Sequence, residues 1–172
     1  ATLLLPKQFY RWTPMIRTGI GYDVHRLAKG ESLILGGVTI RSEKGSVGHS
    51  DGDVVTHAIV DALLGASSCG DIGALFPSDD ERWKGISSLQ FLAYTVKVIG
   101  NAAFQITNVD ATVILETPRL SGYLEEMRKI LAAEMEIEPG AVSVKATTTD
   151  SLGFIGQGEG IGAMAIATLT TV

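Results

Sequence analysis

The 172-residue chain is short of the side chains that carry most redox and metal chemistry, with one cysteine and three histidines. A lone Cys69 forbids an internal disulfide and fits a reducing compartment. It lies in Ser67-Ser68-Cys69-Gly70, which reads as a loop after a helix and makes a poor nucleophile site. No apolar run reaches the roughly 18 residues a membrane-spanning helix needs. Leu3-Leu4-Leu5 is cut off by Pro6, too soon for a signal-peptide core. Positive charge is also scarce: the net charge of −5 excludes a broad basic surface for nucleic acid. A nucleotide or small phosphate ester held by a local cluster stays open. What is present, 45% hydrophobic and 19% charged residues, is enough for one globular domain with a real core. Residues 1–15 read as an N-terminal extension or remnant, or the end of a plastid transit peptide. Met15 resembles a natural start, and regular patterning occupies 16–172.

Ile16 to His25 alternates as a strand, with Ile16, Thr18, Ile20 and Tyr22 on one side and Gly19, Gly21, Asp23 and His25 on the other. Ser32 to Leu35 and Val38 to Ile40 read as short strands about Gly36-Gly37. Asp53 to Leu64 reads as a helix, with Ser50 or Asp51 able to cap its start and Gly65 its end. Asp71 to Gly85 is a long loop of the kind that often forms a functional lid. Helices are predicted at Ser87 to Ile99 and Gly122 to Met135, and strands at Asn108 to Glu116 and around Val142 to Ala146. A glycine-rich loop follows at 153–162. The Ala- and Thr-rich end, Ile161 to Val172, reads as a strand, with helix as the rival. This order suggests an α/β (α+β) fold: a mixed sheet with helices packed on one face.

All three histidines lie beside acids and glycines, two of them within Gly48 to His57. Asp23 and His25, two apart on a strand, leave the same face, and His57 can come from a helix packed opposite. One carboxylate and two imidazoles with a fourth position open describe a catalytic zinc site better than a closed structural one. Asp61, one turn after His57, is a natural partner for its other ring nitrogen. Spacing alone equally permits a strand-end Asp with two hydrogen-bonded, partly buried histidines. His49 and Ser50 precede a helix, where an anion is favoured, yet an exposed loop histidine fits that position as well. Thr147-Thr148-Thr149-Asp150, with Lys145 nearby, suits a magnesium-bridged diphosphate or simply a Thr-rich strand ending in a turn. Gly158-Glu159-Gly160-Ile161-Gly162-Ala163 fits a loose dinucleotide fingerprint, but a strand follows it and no βαβ unit surrounds it.

Seven pieces in order carry a resemblance: Gly19 to His25, Leu35 to Val38, His49 to Asp53 with His57, Asp61 to Gly65, Asp71 to Gly73 with Phe76-Pro77, Asn108 to Thr112, and Lys145 to Thr149. Together they resemble the 2-C-methyl-D-erythritol 2,4-cyclodiphosphate synthases of the non-mevalonate isoprenoid pathway. The resemblance implies intramolecular attack of a 2-phosphate on the β-phosphate of 4-diphosphocytidyl-2-C-methyl-D-erythritol 2-phosphate, releasing CMP. It implies zinc on Asp23, His25 and His57, and a second divalent cation, Mg2+ or Mn2+, near Asp150. His49 and Thr148 match the positions that stabilise the transition state, and Ser50 a phosphate contact. Asp71, Ile72, Gly73, Phe76, Pro77, Ser78, Asp79 and Asp80 match the methylerythritol loop. Leu115, Glu116, Thr117, Pro118, Arg119, Leu120, Ser121, Thr147 and Thr149 match the cytidine pocket.

The resemblance also implies a homotrimer with active sites between subunits, no nucleic-acid or membrane partner, and a cytoplasmic setting in bacteria or a plastid stroma in a plant, alga or apicomplexan. Three positions depart from the common pattern. Asp150 replaces the more usual Glu and is a methylene shorter, so a water could bridge it to the cation. Arg119 replaces a common Lys. Gln157 replaces an Arg that, beside the position of Phe154, serves isoprenoid diphosphates in the threefold cavity, so that ligand is not expected here.

Overall fold

The structure is a computed structural model that describes residues 14–172; the expected extension falls almost wholly outside the described residues. Five strands form the main sheet in the order β4-β1-β7-β5-β6. These are β1 (Ile16–Lys29), β4 (Lys44–Val47), β5 (Phe104–Ile114), β6 (Val142–Thr147) and β7 (Gly160–Thr171). Among the described residues only the β5–β6 pair is parallel, so the sheet is mixed as expected. β2 (Leu33–Leu35) and β3 (Val38–Ile40) form a separate hairpin turning on Gly36 and Gly37, both at positive φ. Helices α1 (Val54–Ser67), α3 (Ser88–Asn101) and α4 (Leu124–Glu134) lie on one face of the sheet. Short turns α2 (Ile72–Leu75) and α5 (Gly153–Gly156), with one 3-10 turn at Glu81–Trp83, interrupt segments expected as loops. The C-terminal segment is the strand β7, not the rival helix, and it runs antiparallel between β1 and β5.

The alternation in β1 is as read, but its two sides serve unlike purposes. The glycine side faces the helices: a Cβ on Gly19 would lie 2.1 Å from the Ala62 carbonyl oxygen, and one on Gly21 would lie 1.9 Å from that of Ala58. Two missing side chains therefore let α1 sit almost on the strand backbone. α1 is buried nearly all round, between the sheet and α3, which explains its run of Val, Ile, Leu and Ala. The other side of β1 carries Ile16, Ile20 and Tyr22, which are 72%, 64% and 56% exposed. Ile20 lies opposite Ile166, and Tyr22 opposite Met164, so the apolar side chains continue across β7. A sheet face this apolar is unusual to leave in water.

Several boundaries differ from expectation. Asp53, not Ser50 or Asp51, caps α1, accepting hydrogen bonds from the Val55 and Thr56 N–H groups. Gly65 lies inside the helix, and Ser68 takes the left-handed conformation that ends it. Asp53 is fully buried and its two oxygens also accept from Gly36 N, Gly37 N and the Thr56 hydroxyl. One carboxylate thus satisfies four backbone donors and ties the β2–β3 turn to the start of α1.

Candidate metal centre

Asp23 and His25 leave the helix-facing side of β1 and meet His57 from the first turns of α1. The Asp23 Oδ2 atom is 2.8 Å from His25 Nε2 and 2.9 Å from His57 Nδ1. The two ring nitrogens are 3.2 Å apart. This near-equilateral triangle of donor atoms fits a small divalent ion, since tetrahedral bonds of about 2.0–2.1 Å put ligand atoms roughly 3.3 Å apart. His25 Nδ1 donates to the Val47 carbonyl at 2.9 Å, so Nε2 is the ring atom turned toward Asp23 and His57: protonated, it donates to Asp23, and neutral, it offers a lone pair to a cation. Among the described residues these three form a group able to hold a metal ion. Burial pushes the Asp23 carboxyl up, but the hydrogen bonds and charges of His25 and His57 outweigh it and hold the group well below the usual carboxylate range. Burial pulls His25 down, and the hydrogen bond and charge of Asp23, with the Val47 carbonyl and the Asp53 charge, together more than reverse that and raise its affinity for a proton.

The expected partnership of Asp61 with His57 is not formed. His57 Nδ1 faces Asp23, and its Nε2 lies 3.0 Å from Ser50 Oγ and 2.8 Å from Ser88 Oγ. Asp61 instead accepts the Ile72 N–H at 2.8 Å, pinning the start of α2 beside the triad. The i, i+4 spacing puts Asp61 on the right stripe, but the imidazole reaches forward to α3.

The triad opens into a cavity of about 210 Å3 walled by His49, Ser50, Ile72, Gly73, Phe76, Ser78, Trp83 and Phe91. Phe91 stacks on His57 with centroids 6.1 Å apart, Phe76 stacks on Phe91 at 4.3 Å, and Trp83 meets both edge-on. Asp71 caps α2 through Ala74 N and is exposed. Pro77 and Asp79 continue the loop beyond this wall. Asp80 turns its carboxylate to the Arg82 fork, and its carbonyl accepts from His49 Nε2 at 3.0 Å. Gly85 N donates to the His49 carbonyl and Asp51 N to the Ile86 carbonyl, so the lid is stitched to the 49–51 segment. Trp83, Phe91 and Ser88 were not singled out in the sequence; the helical period put Phe91 and Ser88 on α3 without showing which face meets the triad.

A second cavity, of about 380 Å3, lies at the C-terminal ends of β5 and β6. Leu115, Glu116, Pro118, Arg119, Leu120, Ser121, Thr147 and Thr148 line it. Thr117 borders a neighbouring cavity with Arg41 and Lys44. Thr149 closes the corner by donating its hydroxyl to the Leu152 carbonyl at 2.7 Å, while its N–H meets Glu116 at 3.4 Å. Asp150 sits at positive φ, its Oδ1 3.4 Å from the Thr148 hydroxyl. His49 and Thr148 therefore stand on the walls of different cavities within one chain. Phe154 lines a third cavity with Val24 and Glu159, and Gln157 is exposed.

The profile of the YgbB family matches residues 16–170, which takes in every strand and helix described above except the last residue of β7. The chain belongs to the YgbB family. Relatives in the family include a protein of Pelotomaculum thermopropionicum, 51% identical over 152 residues that cover 88% of this chain and 94% of the relative. Another, from Clostridium acetobutylicum, is 48% identical over 90% of this chain and 99% of its own length. Both bear the name 2-C-methyl-D-erythritol 2,4-cyclodiphosphate synthase. The CDP complex of IspF from Plasmodium falciparum superposes with a TM-score of 0.79 at 36% identity, covering 91% of this chain and 96% of that one. The bifunctional IspDF of Campylobacter jejuni gives 0.90 at 36% identity; 93% of this chain is covered, and it spans 43% of that longer chain. No helix among the described residues is long and apolar enough to cross a membrane.

Proposed function

We infer that this YgbB-family chain is an enzyme of isoprenoid biosynthesis that converts 4-diphosphocytidyl-2-C-methyl-D-erythritol 2-phosphate to 2-C-methyl-D-erythritol 2,4-cyclodiphosphate and CMP. The observation that carries this reading is the Asp23–His25–His57 triangle at the mouth of an aromatic-walled cavity, in a chain half identical to relatives named for that product. A 2-phosphate oxygen attacks the β-phosphorus, the bond from that phosphorus to the oxygen bridging the α-phosphate breaks, and CMP leaves with that oxygen. Nothing is oxidised, and no outside nucleophile is consumed. The rate then depends on positioning and on neutralising phosphate charge.

When bound at the triad, a divalent cation, zinc by its ligand set, supplies Lewis-acid withdrawal of charge from a phosphoryl oxygen. The protein's own groups do the rest. Phe76, Trp83 and Phe91 keep water off the β-phosphate, so the internal phosphate meets it instead. His49, by leaving the Asp80 carbonyl, offers an N–H to a phosphate oxygen, and Ser50 offers a hydroxyl. Glu116 to Ser121 with Thr147 and Thr149 form a pocket for the cytidine. Thr148 and Asp150 would hold a diphosphate and a second cation, magnesium or manganese, which would neutralise phosphate charge there.

We further propose that the working form is a homotrimer. The exposed apolar stripe of Ile16, Ile20, Tyr22, Met164 and Ile166 supports burial against other copies. The separation of the triad cavity from the nucleotide-sized cavity supports a site completed by a neighbour. The bacterial relatives support a cytoplasmic setting.

The deciding experiment supplies the cytidine-diphospho substrate to the zinc-loaded protein and follows CMP release and product mass. The expected product is the cyclic diphosphate, formed without added nucleophile and lost in His57→Ala. A product heavier by one water would mean that the site hydrolyses its substrate, and the cyclase reading fails.

A further inference from the structure

We propose that Ser88, held by Asp51, is the positioning residue that fixes the His57 ring for the metal, while Ser50 is left to serve the ligand. This rests on reading the triad as a divalent-metal site. Ser88 is the first residue of α3 and is fully buried. The residue before it, Ser87, makes no side-chain cap for that helix. The cap comes from another segment: Asp51 Oδ2 accepts the Ser88 N–H at 3.0 Å, and Asp51 Oδ1 accepts the Ser88 hydroxyl proton. Asp51 Oδ1 also accepts the Asp53 N–H at 3.2 Å, and the Asp51 N–H goes to Ile86.

The proton bookkeeping follows from that geometry. A serine hydroxyl has one proton and two lone pairs, and a carboxylate only accepts. With its proton given to Asp51, the Ser88 oxygen can only accept from His57 Nε2, 2.8 Å away. In the neutral ring that a metal ligand must be, Nε2 then carries the hydrogen, and the lone pair falls on Nδ1, the atom that faces Asp23 and His25. The opposite tautomer would point an N–H at the metal position. Ser50 Oγ also lies within reach of Nε2, at 3.0 Å, but no carboxylate holds its proton and it lines the cavity. Ser50 can therefore turn to a phosphate oxygen without releasing the ring, because Ser88 stays. The two serines divide one histidine's outer face between a permanent and an exchangeable partner.

The test uses the metal-free 172-residue chain titrated with zinc alone against a chelator of known affinity, with cobalt absorption reporting the ligand geometry. Ser88→Ala is expected to weaken zinc binding about 10- to 100-fold, the range seen when a hydrogen-bond partner of a metal-ligating histidine is removed. Ser88→Thr keeps the hydroxyl and restores most of the loss. Ser50→Ala leaves zinc affinity and the cobalt spectrum close to the parent's. Parental affinity in Ser88→Ala, or equal loosening in Ser50→Ala, overturns the proposal. Should circular dichroism show Ser88→Ala unfolded, Asp51→Asn replaces it: the Ser88 N–H and hydroxyl go to different oxygens of Asp51, and an amide keeps only one of them as an acceptor, so the same loosening is expected and parental affinity refutes the relay. A parent that takes up no zinc overturns the triad reading itself, and the relay with it.

Discussion

Replacing Gly21 by alanine adds one methyl group and is expected to disable both the stability and the candidate metal site of this chain. The added Cβ would lie 1.9 Å from the Ala58 carbonyl oxygen and 2.8 Å from Ala62 N, both backbone atoms of α1. That is about 1.5 Å short of ordinary contact, and no side chain can rotate away to relieve it. Either α1 or β1 must retreat. Overpacking of this kind costs about 1–3 kcal/mol, and a clash with backbone belongs at the upper end. For a chain of this size about 3 kcal/mol lowers Tm by roughly 6–12 °C. The same retreat acts on function, because Asp23 lies two residues along β1 and His57 one residue before Ala58. Donor atoms now 2.8–3.2 Å apart would be pulled out of ligating range, and zinc affinity is expected to fall by roughly 100-fold or more. The assay is a thermal melt of metal-free protein, so that bound metal does not mask the change, together with zinc titration against a chelator. A Gly21→Ala protein with parental zinc affinity would show that the glycine contact does not set the triad, even if its Tm fell.

Gly65 supplies the opposite case. It lies within α1, its added Cβ would meet only the Ile20 carbonyl at 3.9 Å, and Gly65→Ala is expected to stabilise the chain by about 0.5–1 kcal/mol in urea unfolding. Asp53→Ala strands three buried N–H groups, the half-buried one of Gly37 and a buried hydroxyl, and is expected to cost about 4 kcal/mol or more, read as a lower urea midpoint at similar slope. Ile20→Asp places a charge in the middle of the exposed apolar stripe. If the proposed trimer forms through this stripe, light scattering should report a trimer for the parent and a monomer for the variant, with CMP turnover lost and zinc binding retained.

The parts of the fold that were legible in the sequence are those where one local period carries the signal. β1 alternates because its two sides meet different surroundings, and β7 alternates for the same reason, with Ala163, Ala165 and Ala167 buried and Met164 and Ile166 outside. Yet alternation does not say which side is the protein's interior. In β1 the large apolar residues are the outer ones and the glycines the inner ones, because close approach of α1 matters more there than side-chain volume. Caps were ambiguous for a related reason. Ser50, Asp51 and Asp53 are all good capping types, and each is used: Ser50 toward His57, Asp51 for α3, Asp53 for α1. Residue type told that capping happens in this stretch, but not which helix each residue serves.

The meeting of Asp23, His25 and His57 was legible because two of them share a strand face and the third heads a helix that has to pack on that face. What aims the third was not. Asp61 has the right spacing on α1, and spacing is all that a helix offers a reader. Ser88 is 31 residues from His57, and the link runs through Asp51, a residue whose obvious local task is turning the loop before α1. The stretch from His49 to His57 thus does three jobs through tertiary contacts: it caps two helices, latches the lid through His49, and orders the imidazole. A sequence pattern can show the side chains that bind a ligand, because their types are rare and their neighbours local. It does not show the hydrogen-bonded partners that set a tautomer, because serine and aspartate are common and their partners come from elsewhere in the fold.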